Sequence, residues 1–293
     1  MNSNEAPLIV ITGPTASGKS GLALELAERY RGEIICADSR TVYRGMDIGT
    51  AKPTQEDQAR VPHHLIDVIN PGERFTVHDF QHLARQAIEG IRARGKVPFL
   101  VGGTGLYIDS IVLNYNFVKT AQSSSRNELE SMTVEQLQTM IKTQHLQMPV
   151  NENNKRHLVG VIERAEEKHT ASVKPGEHTH VVAITTDKNE LETRIRQRAS
   201  EMFASGGIDE ANKLGMMYGW DSEAMSGNIY PILKEVIDGT LTEAEAIQKN
   251  VIRDRQLAKR QIAWLKRHDY VRWLNLEDAS AYLSNILTNY RGR

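Results

Sequence analysis

The sequence has almost no cysteine: Cys36 is the single one among 293 residues. One thiol cannot form a disulfide within the chain, and it cannot supply a cysteine-cluster metal site. Long apolar stretches are also missing. The opening MNSNEAP leads directly into one short apolar run. Neither a secretory signal nor a membrane-spanning segment is indicated. We therefore expect a cytoplasmic protein that does not contact a membrane.

Excess charge of either sign is missing as well, because 36 basic and 37 acidic residues give a net charge of −1. This balance argues mildly against a nucleic-acid-binding protein. The charges are unevenly distributed, however, and between residues 249 and 272 eight Lys and Arg residues stand against two acids. A local basic surface of this kind can hold phosphates on a protein that is neutral overall.

Alternating strands and helices are predicted along most of the chain. Short apolar runs predict strands at 7–12, 33–37, 97–101 and 181–185. Helices are predicted at 20–29, 75–93, 158–167, 190–204, 242–268 and 279–290, with one more beginning at Leu106. This alternation predicts an α/β fold, a parallel sheet flanked by helices on both faces.

The composition changes after Asn116. Residues 119–156 are rich in Gln, Ser, Thr, Asn and Met, and they show helical periodicity without a strong strand. We therefore expect a small helical insertion domain at 119–156. It would separate the first part of the core, 1–118, from a second part, 157–293, that carries the basic C-terminal helices.

A phosphate-binding motif follows the first predicted strand. Residues 13–20, GPTASGKS, match G-x-x-x-x-G-K-[ST] between a strand and a helix, the context that this motif requires. Backbone N–H groups and the helix N-terminus would surround an anion, and the lysine would neutralise it. The residues expected around the phosphate are Gly13, Thr15, Ala16, Ser17, Gly18, Lys19 and Ser20. The Ser20 hydroxyl could also ligate Mg2+. The motif predicts a P-loop NTPase-like fold and leaves the reaction open.

Asp38 follows the second predicted strand. The carboxyl ends of parallel strands form the active-site crevice of such folds, so we expect Asp38 to face the phosphate loop. A carboxylate in this place could hold Mg2+, accept a proton or cap a helix. The residues alone leave these three roles open.

Several stretches together resemble the tRNA dimethylallyltransferase family. They are GPTASGKS at 13–20, ADSRTVYRGMDIGTAKP at 37–53, VPHHLID at 61–67, VGGTGLY at 101–107 and LAKRQIAWLKR at 257–267. The last is typical of the members that modify tRNA. The resemblance implies transfer of a dimethylallyl group from dimethylallyl diphosphate to the exocyclic N6 amine of an adenine beside the tRNA anticodon. Diphosphate is released, and Mg2+ is the implied cofactor. The implied partners are the donor and the anticodon stem-loop of tRNA, and we expect a monomer.

The resemblance also implies roles for particular residues. Asp38 would be the general base, and Thr104 would contact the reacting centre or the diphosphate. Arg194 and Arg198 resemble arginines near the diphosphate, although a solvated helix face explains them equally well. The residues that we expect to contact tRNA are Ser39, Arg40, Thr41, Arg156, His157, Arg253, Lys259 and Arg260. The basic helix of the last three, which also carries Arg255, would clamp the RNA backbone unless it is simply a solvated face.

The chain departs from the family pattern mainly where the family contacts RNA. Thr41 stands where the family usually has Gln, and His157 and Gly160 replace two arginines expected to touch tRNA. Two other functions remain open: a small-molecule P-loop kinase, and a catalytically impaired RNA-binding relative. A kinase would usually carry an arginine-rich lid and would not need a basic C-terminal helix. The intact phosphate loop, Asp38 and Thr104 argue against the impaired relative.

Overall fold

The computed structural model describes residues 5–119, 126–149, 151–170, 172, 174–227 and 229–291. The chain divides into two compact units. Residues 1–112 and 174–293 form the first unit, and residues 113–173 form the second.

Eight strands and twelve α-helices lie in the described ranges. The strands are β1 (Leu8–Thr12), β2 (Gly32–Cys36), β3 (His63–His64), β4 (Val97–Val101), β5 (Asn116–Lys119), β6 (Glu167–Thr170), β7 (Thr179–Ile184) and β8 (Arg272–Leu274). The helices are α1 (Lys19–Arg29), α2 (Gln55–Arg60), α3 (Val77–Ala93), α4 (Gly105–Val112), α5 (Arg126–Ser131), α6 (Val134–Thr143), α7 (Lys155–Glu166), α8 (Lys188–Ala204), α9 (Gly207–Tyr218), α10 (Tyr230–Ile237), α11 (Glu243–Leu265) and α12 (Leu276–Arg291).

The first unit is built around a six-stranded sheet. The strand order is β3-β2-β4-β1-β7-β8, and every neighbouring pair is parallel. Strands β1, β2 and β4 are buried along their whole length. Parallel strands that are covered on both faces have continuous apolar runs, which explains why LIVIT and VPFLV show no polar alternation. The predicted α/β fold with a parallel, helix-flanked sheet is confirmed.

The two edge strands escaped prediction because they are only two and three residues long. The first, β3, is anchored by a buried carboxylate: Glu33 accepts a hydrogen bond from His64 Nε2 at 2.7 Å. Arg94 and Lys96 also pair with Glu33, at 2.6 and 2.8 Å. Burial by itself raises the pKa of Glu33, but hydrogen bonds from these three residues outweigh it and hold the pKa at about 2. His64 is therefore a structural residue of the sheet edge.

The second unit has a core of its own, in which buried side chains of α5, α6 and α7 pack together, among them Leu129, Leu137 and Leu158. The antiparallel strands β5 and β6 lie near its two ends. The second unit covers more of the chain than the predicted insertion at 119–156. Residues 120–125 and 150 of that insertion lie outside the described part of the structure. Helix α7, which we assigned to the core, belongs to this unit, because periodicity shows that a helix has an apolar face but not which core that face joins.

No helix within the described residues combines the length and the apolar character that crossing a membrane requires.

Candidate active site

A cavity of about 840 Å³ lies at the carboxyl ends of β1, β2 and β4. Three segments that follow strands line it: residues 15–21 after β1, which include the first turn of α1, residues 38–41 after β2, and residues 102–104 after β4. Side chains of α8 and α11 complete the wall. The phosphate loop, Asp38 and Thr104 therefore border the same cavity of the first unit. This arrangement is expected because the carboxyl ends of parallel strands form the active-site crevice of such folds.

The backbone of the phosphate loop adopts conformations that few residue types tolerate. Gly13 has φ 136° and Gly18 has φ 87°, both in the region that favours glycine. A Cβ at Gly13 would also lie 3.0 Å from the backbone of Ile184. Gly18 is the N-cap of α1, and no side chain caps the helix there. The N–H groups of its first turn are thus left for another acceptor, and the helix dipole favours an anion.

Lys19 is the cation of this loop. Its Nζ donates a hydrogen bond to the Pro14 carbonyl at 3.0 Å. Burial and the nearby positive charge of Arg198 lower the pKa of Lys19 to about 8, and the negative charge of Asp38 opposes this shift. The lysine is therefore coupled electrostatically to groups on two other elements of the cavity wall.

Arg194 and Arg198 both line the cavity from α8. Arg194 Nη1 donates to the carbonyl of Ser17 at 3.1 Å, which ties α8 to the phosphate loop. Arg198 Nη2 pairs at 2.5 Å with Asp254, a buried residue of α11. A freely solvated helix face does not fit these contacts. The pairing also leaves Arg198 with much of its charge balanced by Asp254.

Asp38 and Thr104 lie in two adjacent loops that are hydrogen-bonded to each other. The Thr104 hydroxyl accepts from the Ser39 N–H at 3.1 Å, and the Thr104 N–H donates to the Ala37 carbonyl at 3.2 Å. Asp38 Oδ1 accepts from the N–H of Arg40 at 2.8 Å. The next helix, α2, is capped by Thr54 instead. Of the three roles open to Asp38, helix capping is excluded.

Several buried polar atoms on the cavity wall have no hydrogen-bond partner among the described residues. They are Ser17 Oγ, Thr41 Oγ1, Arg198 Nε, Asn250 Oδ1 and Asn250 Nδ2. Buried polar atoms are normally paired, and each one left unpaired costs about 1–3 kcal/mol. Their concentration around one cavity is typical of a site that receives a polar ligand.

The loop residues predicted to contact tRNA, Ser39, Arg40 and Thr41, all line the cavity. Arg40 Nη1 donates to the carbonyls of Glu223 and Ala224, at 2.9 and 3.3 Å, so its guanidinium also holds the 3-10 turn at Ala224–Ser226. Thr41 is buried. Its hydroxyl has no hydrogen-bond partner in the described structure.

The predicted basic helix is α11, and its cations are not equivalent. Lys259 and Arg260 are exposed, and Arg260 also lines the cavity. Arg255 pairs with Glu192 at 3.4 Å, and Arg253 is half-buried with contacts of its own.

In the second unit, His157 is exposed on α7, whereas the side chain of Arg156 lies outside the described part of the structure.

The residues available to a metal ion are few. Ser20 is exposed in the first turn of α1 and lines the cavity, as Asp38 does. No group of three or more His, Cys, Asp and Glu residues in the described ranges could hold a metal by itself. Magnesium commonly takes one or two protein ligands and completes its shell with water and substrate phosphates. Ser20 and Asp38 fit that kind of site, and they do not form a preformed metal cage.

The structure adds three residues of α11 to the cavity wall that sequence reasoning did not single out, Asn250, Asp254 and Gln261. With Leu257 they recur at intervals of four, three and four, the spacing of one helix face. That periodicity is visible in the sequence, but it does not show that the face borders a cavity.

Comparisons with known proteins place the chain in a family. A family model described as IPP transferase matches residues 41–268. A tRNA dimethylallyltransferase of Exiguobacterium is 36% identical, with 98% of this chain and 97% of the relative covered, and that of Bacillus subtilis is 32% identical, with 100% and 99% covered. The crystal structure of the full-length tRNA isopentenylpyrophosphate transferase from Bacillus halodurans matches with a TM-score of 0.73 at 33% identity, covering 98% of this chain and 99% of that chain. The chain therefore belongs to the IPP transferase family, as its motifs predicted.

Proposed function

We propose that the protein transfers a dimethylallyl group from dimethylallyl diphosphate to the N6 amine of an adenine beside the tRNA anticodon, releasing diphosphate. The observation that carries the proposal is the shared cavity, in which Lys19 of an anion-binding loop and the Asp38 carboxylate border the same space. Membership of a family whose relatives are named tRNA dimethylallyltransferases supports the reaction.

The donor diphosphate would lie on the phosphate loop. As the bond between the allylic carbon and oxygen breaks, the electron pair stays on the diphosphate, whose negative charge grows. Loop N–H groups, Lys19 and the arginines Arg194 and Arg198 would stabilise that charge, since the three cationic side chains line the same cavity. Ser20 would hold Mg2+ together with diphosphate oxygens, and the ion would add positive charge at the leaving group.

The acceptor amine would lie near Asp38 and Thr104. The amine nitrogen forms the new bond to the allylic carbon, and the proton that it loses passes to the Asp38 carboxylate. The Thr104 hydroxyl already accepts a hydrogen bond from Ser39, so its own hydrogen is available to substrate. Because stacking hides the amine in RNA, the adenine must be extruded into the cavity.

The RNA backbone would be held by exposed basic side chains. Lys259 and Arg260 of α11 are the best-placed candidates, since both are exposed. We assign Arg156 and His157 of the second unit to tRNA contact as well, with Arg253 in a supporting role. We further propose that the protein acts as a monomer in the cytoplasm, which light scattering and cell fractionation would test.

The decisive experiment supplies labelled dimethylallyl diphosphate and total tRNA that lacks the modification. Mg2+-dependent transfer of label to tRNA, stopped by a chelator, would support the proposed reaction and its cofactor. Full activity in excess chelator would remove Mg2+ from the mechanism. Phosphorylation of small molecules from ATP, without prenyl transfer, would indicate a kinase. Binding of tRNA without any turnover would indicate a catalytically impaired relative.

Donor binding is expected to weaken as the pH rises through about 8. The pKa of Lys19 is lowered to about 8, so its ammonium is charged below that pH and neutral above it. An anionic donor favours the charged form, and binding should therefore be coupled to proton uptake near this pH. Calorimetric titration with the donor between roughly pH 6.5 and 9.5 measures the effect.

The matched control for this pH profile is Lys19→Arg, because arginine stays charged across the whole range. The donor's own titration affects both proteins equally. A flatter profile for Lys19→Arg is expected. Parallel profiles for the two proteins would show that a group other than Lys19 is titrating.

The salt dependence of tRNA binding tests the role of α11. Neutralising Lys259 and Arg260 together should reduce the slope of log K against log salt by about 0.7 to 0.9 for each lost phosphate contact. Arg255→Ala should change the slope less, because Arg255 is already paired with Glu192. An unaltered slope in a stably folded Lys259→Ala/Arg260→Ala variant would exclude this helix as the backbone clamp and move RNA binding to the second unit.

A further inference from the structure

The side chain of Gln261 joins the two loops that carry the proposed reaction. Its Oε1 accepts a hydrogen bond from the Thr15 N–H of the phosphate loop at 2.7 Å. Its Nε2 donates to the carbonyl of Gly103, beside Thr104, at 3.1 Å. Only this orientation of the amide satisfies both partners, since Thr15 offers a donor and Gly103 an acceptor. One side chain of α11 therefore spans both loops.

The fit around this bridge is tight. A Cβ at Gly103 would lie 2.3 Å from Gln261 Nε2, and a Cβ at Gly105 would lie 2.3 Å from the indole of Trp264, one turn further along α11. Trp264 is itself fixed, because its Nε1 donates to the buried carboxylate of Asp109 at 2.8 Å. The absence of side chains at Gly103 and Gly105 lets α11 pack closely against the loop after β4 and the start of α4. Gln261 is therefore held by its contact with Gly103 and by the fixed position of Trp264 on the same helix.

We propose that Gln261 is a positioning residue that fixes the phosphate loop relative to Thr104 for prenyl transfer. This inference rests on the proposed function. The donor would lie on the loop that contains Thr15, and the acceptor would lie beside Thr104, so the bridge links the two halves of the reaction. Transfer requires reacting atoms held about 3–3.5 Å apart, and a misplacement of about 1 Å can cost roughly 100-fold in rate.

The test compares Gln261→Met with Gln256→Met. Methionine keeps the length of the side chain but removes both hydrogen bonds, and Gln256 is exposed on the same helix. At a temperature where all proteins are folded, we expect the single-turnover rate of Gln261→Met to fall by about 10- to 100-fold. The affinity for dimethylallyl diphosphate should change far less. Gln256→Met should behave like the wild type.

A second set of variants tests the bridge itself. Gly103→Ala should displace the amide and give a similar loss of rate, since Gly103 has no positive φ that alanine would strain. In a Gln261→Ala background the clash is gone, so Gly103→Ala should then cost little more. This non-additivity is the signature of a direct coupling between the two residues.

Three outcomes would overturn the positioning role. The first is a folded Gln261→Met with an unchanged transfer rate, even if its melting temperature is lower. The second is full additivity of Gly103→Ala and Gln261→Ala. The third is failure to fold of both Gln261→Met and Gln261→Glu, which would make Gln261 a structural residue. A wild-type protein without transfer activity would refute the proposed function instead.

Discussion

Replacing Lys19 with alanine is expected to abolish detectable donor binding and to lower kcat/KM by about three orders of magnitude or more. Removal of a single electrostatic contact to transition-state charge typically costs 10²- to 10³-fold, and Lys19 contributes to ground-state binding as well. It is the only Lys or Arg in the 13–20 motif. The loss should therefore be among the largest that any single substitution in this protein produces.

The neighbouring arginines are not expected to compensate for the loss of Lys19, although they line the same cavity. Arg198 is paired with Asp254 at 2.5 Å, and Arg194 with Glu190 at 2.6 Å, so each already has a carboxylate partner. Titration with inorganic diphosphate measures the binding loss directly. Lys188→Ala is the matched control, because Lys188 is exposed at the start of α8. Turnover at the wild-type level in a folded Lys19→Ala variant would contradict the assignment of the phosphate loop.

The central sheet could be predicted from the sequence because of how it is buried. Strands covered on both faces must be apolar throughout, and β1 and β4 were located to within one residue for that reason. The glycines of the phosphate loop were equally informative, since the conformation at Gly13 and Gly18 restricts which residues fit. Because strand ends meet at one edge of a parallel sheet, the shared cavity of Asp38 and the loop also followed.

Features that depend on tertiary contacts between distant residues could not be predicted. Gln261 stands inside a motif that the sequence displays, yet its partner Thr15 lies 246 residues away. The pairing of Arg198 with Asp254 is hidden for the same reason, and a two-residue strand such as β3 has no pattern to detect. The extent of the second unit was misjudged because the apolar face of α7 would suit either core.

Asp38→Asn is expected to reduce the chemical rate of transfer by about two to four orders of magnitude, as for a lost general base. The substitution changes little else, because the asparagine carbonyl can still accept the hydrogen bond that the Arg40 N–H donates at 2.8 Å. The loop that carries Asp38 should thus keep its conformation and its hydrogen bonds to Thr104. Asp209→Asn is the matched control, an identical change at an exposed position of α9.

The pH of this experiment matters, because the negative charge of Asp38 raises the pKa of Lys19. Removing the carboxylate should lower the pKa of Lys19 further, so donor binding must be compared at about pH 7 or below, where the ammonium is more fully charged. Under those conditions a general base predicts an intact donor affinity and a slow single-turnover rate. A metal ligand predicts the reverse, a donor affinity that collapses in Mg2+ while the rate at saturation holds. Because helix capping is already excluded by the geometry, these two outcomes separate the roles that remain for Asp38.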